Sequence, residues 1–283
     1  MKIMSSLFII LCFWNILIVL NKKKYRKIYV PNKIKIFNLG SSHGLCSFNY
    51  TEIKEKYKIE GYNFGWHSQT FYYDYIVLKN YFKKISEGGL CFIPISYFSF
   101  YDKKCWNKNE MRYKKTLKFY NLEGNDKIEA ILYQYFPIYI SIRKKIKKYI
   151  LKNNKYYILK EGAERIKKHV EILESQNEQN NIKILEKIIK LLKTKNIEII
   201  LITTPFHKEY NKFFSKELLN NKFYKVIYKV KNQYNLKYLD FSHNYDTFNK
   251  EEYFNDFDHL SKEGSKIFMK ELMKELKKEG INL

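Results

Sequence analysis

The sequence predicts an α/β fold built on a mostly parallel sheet. Two observations predict it. Short apolar runs recur along the chain, each ended by Gly, Pro or Ser. Longer stretches with helical spacing lie between them. With 283 residues, 45% of them hydrophobic, the chain can also bury a sizeable core. This composition excludes a disordered tail, a collagen-like repeat and a small disulfide-stapled domain.

The elements follow in order. Met4 to Leu20 is almost wholly apolar and is long enough to span a bilayer as a single helix. No small-x-small cleavage site follows it. Residues 1–27 are therefore expected to form a membrane anchor, with the lipid bilayer as partner through 4–20, and 28–283 the working domain. Lys22, Lys23, Lys24, Arg26 and Lys27 come next, and by the positive-inside rule they put that domain in the cytoplasm. Lys33 to Leu39 reads as a first strand, ending in Gly40-Ser41-Ser42-His43-Gly44. Lys58 to Phe64 reads as a second strand and Thr70 to Ile85 as a helix. Gly89 to Ser96 reads as a buried strand after a Gly-Gly turn. Asn196 to Thr204, stopped by Pro205, and Lys237 to Phe241 are two further strands. Continuous apolar runs of this kind suit parallel strands covered on both faces. Ile182 to Lys193 and Ser261 to Lys278 carry amphipathic helical spacing, with Ser261 placed as an N-cap. Residues 97–195 are too many for one crossover and are expected to hold a helical insertion, including a helix from Asp126 to Leu151 broken near Pro137.

Charge narrows the function classes. Lys and Arg number 53 against 29 Asp and Glu, a formal net charge of +24. Only four of the 53 are Arg, namely Arg26, Arg112, Arg143 and Arg165. Arg is the residue that forks onto phosphates and base edges, and the Lys residues spread along the whole chain instead of clustering. No nucleic-acid partner is expected. A basic surface suits anionic lipids or acidic glycans. Cys46, Cys91 and Cys105 lack CxxC spacing, so neither a zinc site nor a redox pair is indicated, and no cofactor or metal is expected.

Two segments can carry chemistry. In an open α/β sheet, ligands bind beyond the carboxyl ends of the strands. Gly40-Ser41-Ser42-His43-Gly44 stands there after the first strand. Small residues allow a tight turn that exposes a serine. A phosphate-binding loop is the rival reading of this turn, although GxxxxGK[ST] and GxGxxG are both absent. Near the other end, Asp256 and His259 form a DxxH just before a helix, with Asp258 adjacent. A serine is a poor nucleophile until a base takes its proton, and the base needs a carboxylate to fix its tautomer. Each segment alone also reads as an ordinary loop, and Asp256, Asp258 and His259 alone also read as metal ligands.

Taken together, a Ser at the end of the first strand and a DxxH before the last helix resemble the SGNH/GDSL hydrolase family. The resemblance implies a three-layer flavodoxin-like sandwich. It also implies Ser42 as nucleophile, His259 as base and Asp256 as its orienting carboxylate. Gly65, after the second strand, matches the family's Gly block and is expected to face the oxyanion. Where the family has Gly-x-Asn-Asp, this chain has Pro94-Ile95-Ser96-Tyr97, so Ser96 is the stand-in donor. With its amino-terminal membrane segment the chain is similar to a membrane-anchored branch that includes the D-alanine transfer and alginate acetylation proteins. That similarity implies a serine esterase or O-acyltransferase of a bacterial surface polysaccharide, with an acylated glycan or acyl donor as partner. It also places the domain outside the cytoplasm, against the flanking charges. The missing third-block Asn leaves an alternative, a catalytically weak glycan-binding or assembly protein. His43 and His207 stand at the same sheet edge as further substrate-facing candidates. His67, His169 and His243 fall in no pattern and are expected to be structural.

Overall fold

The computed structural model describes residues 30–101, 157–175 and 179–281, with a helical stretch at 12–17 and isolated helical residues at 128 and 131. The chain divides into two compact units. One comprises Met1–Tyr29 and Trp106–Ile158, the other Val30–Cys105 and Leu159–Leu283. The second holds everything considered below. The expected anchor lies outside the described residues except for 12–17, and so does the expected helix Asp126–Leu151 except for 128 and 131. Among the described residues no helix is long and apolar enough to cross a membrane.

Five strands form one sheet in the order β2-β1-β3-β4-β5. They are β1 (Ile34–Asn38), β2 (Gly61–Asn63), β3 (Ile85–Pro94), β4 (Glu198–Thr203) and β5 (Lys237–Asp240). Every pairing is parallel. The order reverses between β1 and β3, so the sheet grows outward in both directions from β1, as in a flavodoxin-like sheet. The register aligns Asn38 with both Asn63 and Phe92, and Ile202 with Pro94 and Leu239. All five carboxyl ends therefore meet at one edge.

The helices are α1 (Ser42–Ser47), α2 (Thr51–Tyr57), α3 (Phe71–Tyr81), α4 (Tyr157–Glu174), α5 (Gln179–Lys193), α6 (Lys208–Asn211), α7 (Lys225–Tyr234) and α8 (Lys262–Lys278). A helical turn (Lys216–Leu218) and a π-helical stretch (Leu219–Tyr224) run straight into α7. One face of the sheet, through Ile36, Phe92, Ile200 and Ile202, buries Phe48 from the exit of α1, Ile53 of α2, and Phe268, Met269, Leu272 and Leu276 of α8. Alternation sends Phe37, Cys91, Ile93, Ile199 and Leu201 to the other face, where all are buried. Helices α3 and α5 pack on each other. The amphipathic spacing of α5 buries Leu185, Ile188, Ile189 and Leu192 and leaves its lysines outside.

Three expectations shift. The Gly40–Gly44 turn is in part a short helix, α1, that begins at Ser42 itself. The Gly-Gly turn before the third strand lies inside β3. Ile85 already pairs with Ile34, and the next partners are Ile36 and Leu90, so the extra residues form an irregularity in the ladder. Helix α3 accordingly stops at Tyr81, followed by the 3-10 turn Phe82–Lys84. The Ser261 cap is as expected: its Oγ accepts the Gly264 N–H at 3.1 Å.

Phe268 is fully buried and meets the rings of Phe48 and Phe241 edge-on, each at 5.4 Å between centroids. Phe268→Ala is expected to cost about 3–5 kcal/mol of stability. Denaturant unfolding of the full chain beside the parent checks this, and a loss below about 1 kcal/mol would contradict the packing.

Candidate active site

The loop that carries Ser42 is built from β1 outward. Leu39 N–H continues the ladder to Phe92 O at 3.0 Å, and the chain then turns at Gly40, which has φ +99°. A Cβ at Gly40 would also stand 3.1 Å from three atoms of the Pro94 ring, so both conformation and space require glycine. Gly40 N–H donates to Asp74 Oδ1 at 2.7 Å from α3, and Gly40 O accepts the Trp66 N–H at 3.0 Å. Ser41 makes no side-chain cap, so the first-turn amides of α1 keep no partner from that side chain.

The second loop carries its own scaffold. Phe254 and Leu260 form an isolated antiparallel bridge, and Asn255 N–H donates to His259 O at 2.8 Å. Asp256 Oδ1 accepts the backbone N–H of Asp258 at 3.1 Å and of His259 at 2.9 Å. The same carboxylate receives His259 Nδ1, at 2.8 Å from Oδ1 and 2.9 Å from Oδ2. One aspartate thus shapes the turn and orients the ring it carries. His207 N–H donates to Phe257 O at 3.0 Å and ties this loop to the exit of β4.

Across the sheet edge, His259 Nε2 lies 2.7 Å from Ser42 Oγ, 217 positions away in the chain. Ser42, His259 and Asp256 therefore form one hydrogen-bonded line. Asp256 is about one-third exposed and His259 less so. Burial alone would raise the Asp256 carboxyl. The hydrogen bond and charge of His259 outweigh it and hold the carboxyl below its ordinary value, with Arg165 adding to the effect.

The other expected residues fall elsewhere in the site. Gly65 packs against α1, where a Cβ would meet Leu45 N at 2.7 Å. Its N–H is donated to Asn63 Oδ1 at 2.8 Å, so the amide expected to face the oxyanion is already engaged. Ser96 is buried, and its hydroxyl bonds His43 Nδ1 instead of facing the open edge. His43 lies behind His259, its ring stacked at 5.1 Å with a 23° tilt, and its Nε2 is 3.1 Å from Asp258 Oδ2. His207 caps α6: Nδ1 accepts the Glu209 N–H at 3.3 Å and Nε2 donates to Glu251 Oε1 at 3.0 Å. Both ring nitrogens of this expected substrate-facing residue are taken.

Three contributors were not foreseen. Arg165 of α4 sends Nη2 to Asp258 Oδ1 at 2.5 Å and to Asp256 Oδ2 at 3.0 Å. Its signal was rarity: a chain with 49 lysines that keeps an arginine tends to use its fork. His169, one turn further along α4, stacks on Phe98 at 4.1 Å and bonds Tyr210 Oη through Nδ1 at 3.0 Å. Asn63 donates to the carbonyls of Gly44, Leu45 and Phe48 and accepts from Asn38, stitching β2 to α1. Its place at the end of a strand was the only sign.

Among the described residues, the donor atoms of His43, Asp258 and His259 come within 4.8 Å of one another. A metal there would take a His259 nitrogen from Asp256 or Ser42, or His43 from Asp258 or Ser96. His43 and Asp258 are hydrogen-bonded to each other, and the His259 ring nitrogens to Asp256 and Ser42.

No protein-family profile and no curated protein matches the chain. Several solved structures resemble its fold. One is a GDSL-like lipase from Bacteroides thetaiotaomicron, 12% identical over 92% of this chain and 95% of that one, with a TM-score of 0.41. Another is a lipase/acylhydrolase from Enterococcus faecalis, 13% identical over 87% and 96%, with a TM-score of 0.40. A third, from Bacillus subtilis, is 12% identical over 89% of this chain and 58% of its own, with a TM-score of 0.48.

Asp74 holds the Gly40 amide from a fully buried position. It also accepts Gln69 Nε2, while its Oδ2 has no hydrogen-bond partner among the described residues. Burial pushes its carboxyl up from 3.8 to about 7, against the lowering effect of both hydrogen bonds. The folded state then holds a proton that the unfolded state has lost. This contribution to stability is complete below about pH 4 and is lost as pH rises through about 7. Its amplitude is on the order of 4 kcal/mol. Asp74→Asn is expected to remove that slope between pH 4 and 7, as read from unfolding free energies across the range. An unchanged slope would show that Asp74 ionises freely.

Proposed function

We propose that this chain is an SGNH-like serine esterase or O-acyltransferase acting on an acyl ester, with Ser42 as nucleophile. The observation that carries the reading is the Ser42–His259–Asp256 line, at 2.7 Å and 2.8 Å, at the carboxyl edge of a parallel sheet. His259 Nε2 takes the Ser42 proton as Oγ attacks the acyl carbon, and Asp256 holds Nδ1–H and so fixes the tautomer. The tetrahedral oxyanion is received by the Ser42 backbone N–H at the start of α1, where no side-chain cap competes. His259 then returns the proton to the leaving alcohol. Water completes hydrolysis, and a sugar hydroxyl in its place gives transfer. A bacterial surface polysaccharide is the acceptor class we favour. The basic surface supports it, and so does the apolar segment 4–20, which would hold the enzyme at a membrane.

One observation favours a weaker catalyst that serves mainly in glycan binding or assembly: the Gly65 amide and the Ser96 hydroxyl are both engaged within the protein. Each oxyanion donor that is missing costs about 10²–10³ in turnover. Acetyl-ester turnover by the full chain beside Ser42→Ala decides between the two. A parent activity that falls at least about 10³-fold in the variant supports the esterase. Equal rates in two folded proteins would leave binding or assembly as the function.

A further inference from the structure

A second line of the same kind lies behind the first. Ser96 Oγ bonds His43 Nδ1, and His43 Nε2 bonds Asp258 Oδ2. The two imidazoles stack face to face, and Arg165 bridges both aspartates. Ser96 and Asp258 are almost wholly buried, so this inner line cannot meet a substrate. It can act only through His259.

We propose that Asp258 is a positioning residue for His259: a second, buried carboxylate that receives, together with Asp256, the positive charge His259 takes from Ser42, and that is held in place by His43 and Arg165. The proposal rests on Ser42 being the nucleophile. Asp258 Oδ1 stands 3.5 Å from His259 Nδ1. Asp256 is partly exposed and screened by water, whereas Asp258 is not, so its charge acts at closer to full strength.

The surroundings agree in charge. Among the described residues, the titratable and charged groups facing Asp258 are His43 and Cys46 of α1, Arg165 and His169 of α4, Tyr210 of α6, and Asp256 and His259 of its own loop. Burial lowers His43, against the pull of Asp258, and leaves it neutral at neutral pH. Burial pushes His169 down to about 3 and the Cys46 thiol up to about 11, and it raises the Tyr210 hydroxyl. Burial would also raise Asp258. The hydrogen bond from His43 outweighs it, and with Arg165 nearby the carboxyl stays well below its ordinary value. Two carboxylates and one guanidinium leave the cluster one negative charge in excess while His259 is neutral. Protonation of His259 brings the cluster to zero. A charged His43 stacked on His259 would spoil that balance, and its burial prevents this.

A fluorophosphonate ester reads the step without a natural substrate. Ser42 Oγ forms the bond to phosphorus as the P–F bond breaks, fluoride leaves, and the serine proton goes to His259. Labelling rates of the full chain are measured from pH 4 to 9 for the parent, Ser42→Ala, Asp258→Asn and Arg165→Gln. Asn is isosteric and can donate Nδ2–H to His43 in its other tautomer. The acid limb of the profile belongs to loss of the free base. Asp258→Asn removes an anion, so its acid limb should move to lower pH by about one unit, with a plateau roughly 10-fold or more lower. Arg165→Gln removes a cation, so its limb should move to higher pH. A merely structural role gives no such opposed pair. Limbs that stay in place, or move together, overturn the role of Asp258 and leave the serine reading standing. If Asp258→Asn does not fold, the direction of Arg165→Gln decides alone, and no alkaline movement overturns the proposal. No Ser42-dependent labelling in the parent sinks the serine reading and this inference with it.

Discussion

Parallel pairing is the constraint on which the rest depends. Because all five strands run the same way and their ends are in register, every loop that leaves a strand opens at one edge. The Gly40 turn, the Gly65 loop, Ser96 and His207 are brought to one place by that rule alone. The loop before α8 joins them because α8 packs on the same sheet face as α1 and α2. Reversing any one of these strands would send the group that leaves it to the opposite edge.

The site economises on residues by giving each polar group two duties. Asp256 makes the turn that presents His259 and also orients its ring. Gly40 supplies the left-handed turn into α1, the clearance against Pro94 and the amide that anchors Asp74. Asn63 ends β2 and also satisfies carbonyls around α1. Buried polar groups are tolerated here because most of those described are paired, with Asp74 Oδ2 and Arg165 Nε among the atoms that have no hydrogen-bond partner among the described residues.

The stacked pair of imidazoles shows how burial separates two chemically alike side chains. His259 lies nearer the rim, with Nε2 2.7 Å from Ser42 Oγ. His43 lies 5.1 Å beneath it, fully enclosed, and is kept neutral by desolvation. Two aspartates two positions apart divide in the same way, one at the surface and one buried. Arg165 reaches both from α4, far away in sequence, so that helix contributes to the site.

What the sequence determined by itself is local. The strands follow from apolar runs and the start of α8 from the Ser261 cap, while the Ser42 turn and the DxxH were each visible as short segments that only the family resemblance joined. These are visible because propensity, capping and motif spacing act over a few residues. Tertiary structure decided what depends on distance and burial. The Gly-Gly turn became part of β3 because Ile34 offered a ladder partner. The Gly65 N–H is paired with Asn63 Oδ1 and the Ser96 hydroxyl with His43 Nδ1. His207 became a cap because its two nitrogens met Glu209 and Glu251. The linking of Asp258 to His43 and Arg165, across 215 and 93 positions, could not be read from spacing. Such contacts are fixed only when the sheet is assembled and water is excluded, since burial and the partners it brings decide how far a carboxylate or an imidazole departs from its ordinary protonation.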